Sequence, residues 1–231
     1  MIKKIIRIVL KIILWFFVST FAIVIIYRFL PPPITPLMVI RLFEQAIDEN
    51  RDMRLYKDWV AIDDMSPAMP LAVITSEDQR FEEHYGFDIE AIEKARKYNV
   101  RHKGKKVKGA STISQQTAKN VFLWPDRSYV RKGFEVYFTA LIELLWSKER
   151  IIEVYLNVIE MGDGVYGAEA ASQQYFDKPV SKINNGQAAL IAACLPNPLR
   201  WSPSKPTPYI KRKQSWILRH MRMAEKPGFN K

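Results

Sequence analysis

The chain has 231 residues, 48% hydrophobic and 12% aromatic, with 35 Lys and Arg against 24 Asp and Glu for a formal net charge of +11. This composition excludes a disordered chain, supplies the apolar residues of one packed domain, and calls for an anionic partner: nucleic acid, a membrane surface or a phosphorylated substrate. Cys194 is the single cysteine and the histidines are scattered, which excludes an intrachain disulfide and leaves no zinc spacing.

Residues 5–30 are almost wholly apolar, with Trp15, Phe16 and Phe17 near their centre, and about 20 such residues cross a bilayer core as a helix. Lys3, Lys4, Arg7 and Lys11 lie on the N-terminal side, and no acid precedes Glu44. That charge bias keeps the N-terminus in the cytoplasm and sends the remainder across the membrane. No small-x-small cleavage site precedes Pro31, which favours an uncleaved single-pass anchor over a signal peptide. The domain reading is therefore a basic flank and anchor over 1–30, a tether over 31–36, and one further domain over 37–231. Pro31, Pro32, Pro33 and Pro36 stiffen the tether. An exported domain disfavours nucleic acid as the anionic partner.

Beyond the tether the apolar residues recur at helical spacing. Ile40, Phe43, Ala46 and Ile47 form one stripe, and Leu71, Ala72 and Ile74 lead into Glu77. Phe134, Phe138, Leu141 and Leu145 form the next, followed by Ile151, Ile152, Tyr155, Leu156 and Ile159. Residues 186–195 read as an Ala-rich buried helix, with Cys194 a small core residue and Pro196 and Pro198 ending it. Alternating strand patterns are scarce, so the fold class is mostly α. Residues 94–108 hold eight Lys or Arg and no acid. They read either as a solvated loop or as a grip on anionic headgroups or a phosphorylated substrate.

Four polar clusters carry candidate chemistry. In the first, Glu77 ends an apolar helix, where partial desolvation suits a carboxylate to proton abstraction; Asp78, Phe81, His84 and Gly86 follow it. The bland alternative is an acidic helix end with a structural histidine. In the second, Thr112 and Gln115 read as a capping box, and the helix start they mark, beside Ser111 and ahead of Gln116 and Lys119, suits an anion. In the third, Arg127, Arg131 and Lys132 precede Glu135. Arg131 and Glu135 are spaced for a salt bridge, and the three cations are equally suited to a phosphate. The fourth runs over 148–176 and includes Glu153-Val154-Tyr155-Leu156-Asn157.

Taken together and in order, these clusters resemble the motifs of the peptidoglycan glycosyltransferases, glycosyltransferase family 51. That family comprises the monofunctional biosynthetic transglycosylases and the N-terminal domains of class A penicillin-binding proteins. Glu-Asp-x-x-Phe-x-x-His-x-Gly, Gly-x-Ser-Thr-Ile-Ser-Gln-Gln-x-x-Lys-Asn, Arg-Lys-x-x-Glu, Glu-x-Tyr-Leu-Asn and the closing Leu195-Pro196-Asn197-Pro198 all occur within 71–203. Ala110 stands where many members have a second glycine.

The resemblance implies a lysozyme-like, two-lobed helical domain with a head and a membrane-facing jaw. It implies lipid II and the growing glycan strand as substrates at the cell inner membrane. Polymerisation would form β-1,4 bonds with inversion at MurNAc C1 and release undecaprenyl pyrophosphate. Glu77 would be the general base and Glu135 the second essential glutamate. Ser111, Gln115, Gln116, Lys119, Arg127, Arg131 and Lys132 would line one substrate groove, while Asp78, Phe81, His84, Gly86 and Asn157 complete the motifs. No cofactor is required, although a divalent cation, Mg2+ or Mn2+, can bridge the pyrophosphate. The lipid bilayer is a partner, and contacts with other wall-synthesis or divisome proteins are open.

The alternatives are a lysozyme-like hydrolase or lytic transglycosylase, which the cations oppose, and a non-catalytic scaffold of wall synthesis, which the intact glutamates oppose. Gly162-Asp163-Gly164-Val165-Tyr166-Gly167 matches a dinucleotide fingerprint but lacks a βαβ context. Ser202-Pro203-Ser204-Lys205 matches the Ser-x-x-Lys of transpeptidases without the accompanying motifs.

Overall fold

The apolar N-terminal run forms one continuous helix, α1 (Ile2–Phe29), about 42 Å long at the standard rise. In the computed structural model of the chain, the residues described are 2–48, 52–103, 107–126 and 128–224. α1 is long and apolar enough to cross a bilayer, and most of its surface is bare. Its second half lies against the domain. Thr20 Oγ1 and the Tyr137 hydroxyl are 2.8 Å apart, and the Phe16 ring lies 5.7 Å from that of Phe134. Val24 is fully buried, and its carbonyl accepts from Trp146 Nε1 at 2.8 Å.

The end of α1 is pinned by cations. The Arg150 guanidinium donates to the carbonyls of Tyr27 and Leu30 while resting over the Trp59 ring. Lys57 Nζ donates to the carbonyls of Pro32 and Pro33 at 3.0 and 3.2 Å. Carbonyls at a helix end lack partners of their own, and these side chains supply them. Pro36 belongs to the next helix rather than to the extended stretch: α2 (Pro36–Ile47) begins on it, with the Thr35 hydroxyl capping Met38 N. Proline suits the first helical position because its missing N–H has no intrahelical role there. The helical stripe read from α2 is mostly bare, with Phe43 66% and Ile47 80% exposed and Ile40 half-buried. Leu37, Met38 and Gln45 face inward instead, because Arg41 and Gln45 find polar partners in the domain.

Two helical groups follow. α3 (Ala68–Glu77), α9 (Asn185–Cys194) and α10 (Pro208–Met221) pack together. α3 is buried on nearly every side, as an apolar helix without an amphipathic pattern should be. The second group is α5 (Ile113–Phe122), α6 (Tyr129–Leu145) and α7 (Lys148–Val158), with α5 against both others. α4 (Ile89–Arg101) buries only Ala95, and α8 (Ala168–Phe176) packs on α7.

A small sheet, absent from the sequence reading, joins the ends of this frame. β1 (Tyr56–Lys57) pairs in parallel with β3 (Val165–Tyr166), which pairs antiparallel with β2 (Glu160–Gly162). Strands of two or three residues are too short to display alternation. The glycine motif is the turn of this hairpin. Gly164 has φ +70°, and a Cβ there would lie 2.5 Å from Arg54 O, so its glycines serve a tight turn rather than a dinucleotide.

Candidate active site

At the junction of the two helical groups lies a cleft of about 610 Å³. Glu77, Gln116, Lys119 and Arg131 line it together with the closing-motif residues Leu195, Pro196 and Pro198. Glu77 is the last residue of α3, and its side chain is 14% exposed. Gln116 Nε2 donates to Glu77 Oε2 at 3.2 Å, and the Tyr155 hydroxyl donates to Gln116 Oε1 at 3.2 Å. Burial first, then the charges of Glu77 and Asp78, push the Tyr155 pKa well above its ordinary value. Tyr155 therefore remains a donor, the Gln116 amide is held in one sense, and Glu77 presents an accepting carboxylate.

The other residues of the first motif fasten this arrangement. Asp78 Oδ2 accepts from Ile113 N at 3.0 Å, and His84 Nε2 lies 2.9 and 3.1 Å from the two Asp78 oxygens. The end of α3 is thereby tied to the start of α5. Phe81 is fully buried with Lys148 Nζ over its ring. Gly86 has φ +82°, its carbonyl accepts from Thr112 Oγ1 at 2.7 Å, and a Cβ there would stand 2.7 Å from Thr139 Cγ2. Asn157 grips Val60 through both N–H and C=O, at 2.9 Å each.

α5 begins with the expected capping box, in which the Gln115 side chain accepts from Thr112 N and Thr112 Oγ1 accepts from Gln115 N. The cap divides the residues expected in one groove. Ser111, Gln115 and Lys132 line a second cavity of about 480 Å³, with Arg96 and Asn99 of α4. Successive helical residues point about 100° apart while residues three apart share a face. Gln115 therefore turns away from the cleft that Gln116 and Lys119 share.

Glu135 is 3% exposed and stands between the two cavities. Arg131 Nη1 donates to its Oε2 at 2.7 Å, and Lys132 Nζ donates to its Oε1. Each carboxylate oxygen thus holds one cation, Arg131 toward the first cavity and Lys132 toward the second. The Lys119 ammonium makes no hydrogen bond or ion pair among the described residues. Burial lowers its pKa, Glu135 raises it, Arg131 and Lys132 lower it, and Glu160 raises it. A cation set of this kind is suited to an anion that completes it. Arg127 lies outside the described residues, as do 104–106 of the basic segment.

Two cleft residues and one beside Glu77 escaped the sequence reading. Lys213 of α10 places Nζ 4.0 Å from Glu77 Oε1; burial lowers its pKa and Glu77 raises it. Arg41 of α2 and Glu160 of β2 line the cleft. Glu160 had a signal, an acid within the apolar stretch 158–161. Among the described residues no three His, Cys, Asp or Glu side chains group as metal ligands.

Residues 44–222 match the family model described as Transglycosylase. A protein named biosynthetic peptidoglycan transglycosylase from Bacteroides thetaiotaomicron is 56% identical over 225 residues, covering 97% of this chain and 90% of that one. Proteins of the same name from Pseudomonas syringae and Escherichia coli are 48% and 53% identical, over 222 and 191 residues. They cover 96% and 83% of this chain, and 93% and 78% of their own lengths. With a carboxylate and cations gathered in one cleft and a match spanning that cleft, the chain belongs to the transglycosylase family.

Proposed function

We propose that this chain is a membrane-anchored peptidoglycan glycosyltransferase that polymerises lipid II into β-1,4-linked glycan strands for the cell wall. The observation that carries this reading is the shared cleft: Glu77, fixed by Gln116, faces the same space as Lys119 and Arg131. An alcohol is a poor nucleophile and requires a base as the bond forms. Glu77 takes the proton of the acceptor's GlcNAc 4-hydroxyl while that oxygen attacks C1 of the donor's MurNAc. The C1–O bond to pyrophosphate breaks on the opposite face, inverting the carbon. The departing pyrophosphate gathers negative charge, and Lys119 and Arg131 stabilise it. Glu135 holds Arg131 in place for that task. A divalent cation would add positive charge at the pyrophosphate, but no group of three His, Cys, Asp or Glu side chains among the described residues would hold it, and no step here rests on it. A hydrolase of finished glycan has no pyrophosphate to hold, so the cations favour synthesis.

α1 is the single-pass anchor, with the basic N-terminus in the cytoplasm and the catalytic domain outside. The test is labelled lipid II added to the purified chain. Wild type is expected to yield polymer, and Glu77→Gln to lose about 10²–10⁴-fold in rate with its melting temperature kept. Near-normal turnover by Glu77→Gln would reject the base.

A further inference from the structure

The cleft contains an ion pair that the chemistry above leaves unused. Arg41 Nε donates to Glu160 Oε1 at 3.2 Å, and both side chains line the cleft with Glu77 and Lys119. Arg41 Nη1 also donates to Glu44 Oε2 at 2.6 Å, which holds the guanidinium from the solvent side. The Glu160 side chain is 9% exposed. Burial raises its pKa, Arg41 opposes that, and Asp163 and Glu44 add to it. Arg41 engages only Oε1.

Beside this carboxylate the Tyr166 hydroxyl is buried. Burial raises the Tyr166 pKa, the Glu160 carboxylate beside the hydroxyl adds to this, and Arg41 opposes it. Of these groups Glu160 lines the cleft; a carboxylate offers about four acceptor positions, and a ligand donor that meets one left open recovers part of the cost of its burial.

The charge selects the ligand. A carboxylate repels phosphate oxygens, so the pyrophosphate belongs with Lys119 and Arg131. What suits Glu160 is a neutral donor, and what suits Arg41 is a neutral acceptor. We propose that the Arg41–Glu160 pair is a sugar-binding subsite of the cleft. Glu160 accepts from a hydroxyl or amide N–H of the glycan, and Arg41 donates to a neighbouring carbonyl or hydroxyl oxygen. The subsite rests on the glycan-polymerising reading and adds to it the group that sets the sugar's register against Glu77.

The experiment measures lipid II polymerisation by the full chain, as wild type, Glu160→Gln and Arg41→Gln, with inorganic pyrophosphate as inhibitor and melting temperature recorded. The expected result for Glu160→Gln is an apparent KM raised roughly tenfold or more, with kcat within about threefold and pyrophosphate inhibition no weaker. Arg41→Gln, which alters the more exposed partner, is expected to raise KM in the same way, and it decides the matter should Glu160→Gln fail to fold. A normal KM in the folded variants overturns the subsite. So does a loss of pyrophosphate inhibition equal to the rise in KM, since that places the pair on the phosphate side. Absence of polymer from wild type refutes the polymerase reading itself, and the ratio of variant to wild type judges the subsite separately.

Discussion

Replacing Lys119 by methionine separates a substrate cation from a structural one. Lys119, Arg131 and Lys132 share the field of one buried carboxylate, and the Lys119 ammonium has no partner of its own among the described residues. Without ligand, its charge is repelled by two neighbours and penalised by burial. Methionine keeps much of the apolar stem and removes the charge, so the folded state should be unharmed or gain up to about 1 kcal/mol, near 2–4 °C in melting temperature for a chain of this size. Catalysis should move the other way. Losing one preorganised group aimed at developing negative charge costs about 10²–10³ in rate. Lys119→Arg should recover part of this, since a planar fork replaces a point charge.

The pH behaviour has a definite sign. The folded pKa of Lys119 is lowered, so between that value and the ordinary 10.5 the unfolded chain binds more protons than the folded one. Stability contributed by this group therefore rises with pH across that window, and the rise should vanish in Lys119→Met. Substrate needs the charged form, so kcat/KM should fall on the alkaline side as Lys119 deprotonates. Lys119→Arg should lose that part of the fall. The assays are lipid II polymerisation and thermal unfolding across pH. Normal polymerisation by Lys119→Met refutes the pyrophosphate role, and an unfolded variant shows that Lys119 holds the structure.

Glu135→Gln leaves the largely buried Arg131 without its carboxylate; urea unfolding should show a loss of about 1–3 kcal/mol, and lipid II turnover should drop with it. Gly86→Ala forces a Cβ against Thr139 at a positive φ and should cost about 1–3 kcal/mol, whereas Gly109→Ala, with nothing within 4 Å of its Cβ, should melt like wild type. A reporter active only outside the cytoplasm, fused after Lys231, should be active; activity of a cytoplasm-only reporter there would overturn the orientation.

The helices were legible because their signals are local: Thr112 with Gln115, the end of α3 at Glu77, and the prolines beyond α9 each act within a turn or two. The sheet was not, since its strands are two or three residues long and β1 joins it only through backbone pairing between residues about 100 apart, as in Tyr56 with Val165. Site residues that follow one another in a motif were legible as a set, but their distribution between two cavities was not. Gln115 and Gln116 are neighbours in sequence and part company through helical geometry and the cap. Lys213 was hidden for the opposite reason: α10 meets Glu77 only through tertiary packing, and nothing near Lys213 in the chain announces a carboxylate.

The cations that seize the end of α1 bear on how enzyme and substrate meet. A proline-rich connector could let a domain swing like a tethered ball, but here Arg150 and Lys57 occupy carbonyls from Tyr27 through Pro33, and α6 lies along the helix before them. Swinging would require those bonds to break together. With α1 in the bilayer, the cleft then keeps one heading relative to the sheet of lipid. A lipid-carried substrate needs to find it by lateral diffusion in two dimensions, and the orientational entropy of docking is already spent in the fold of the anchor.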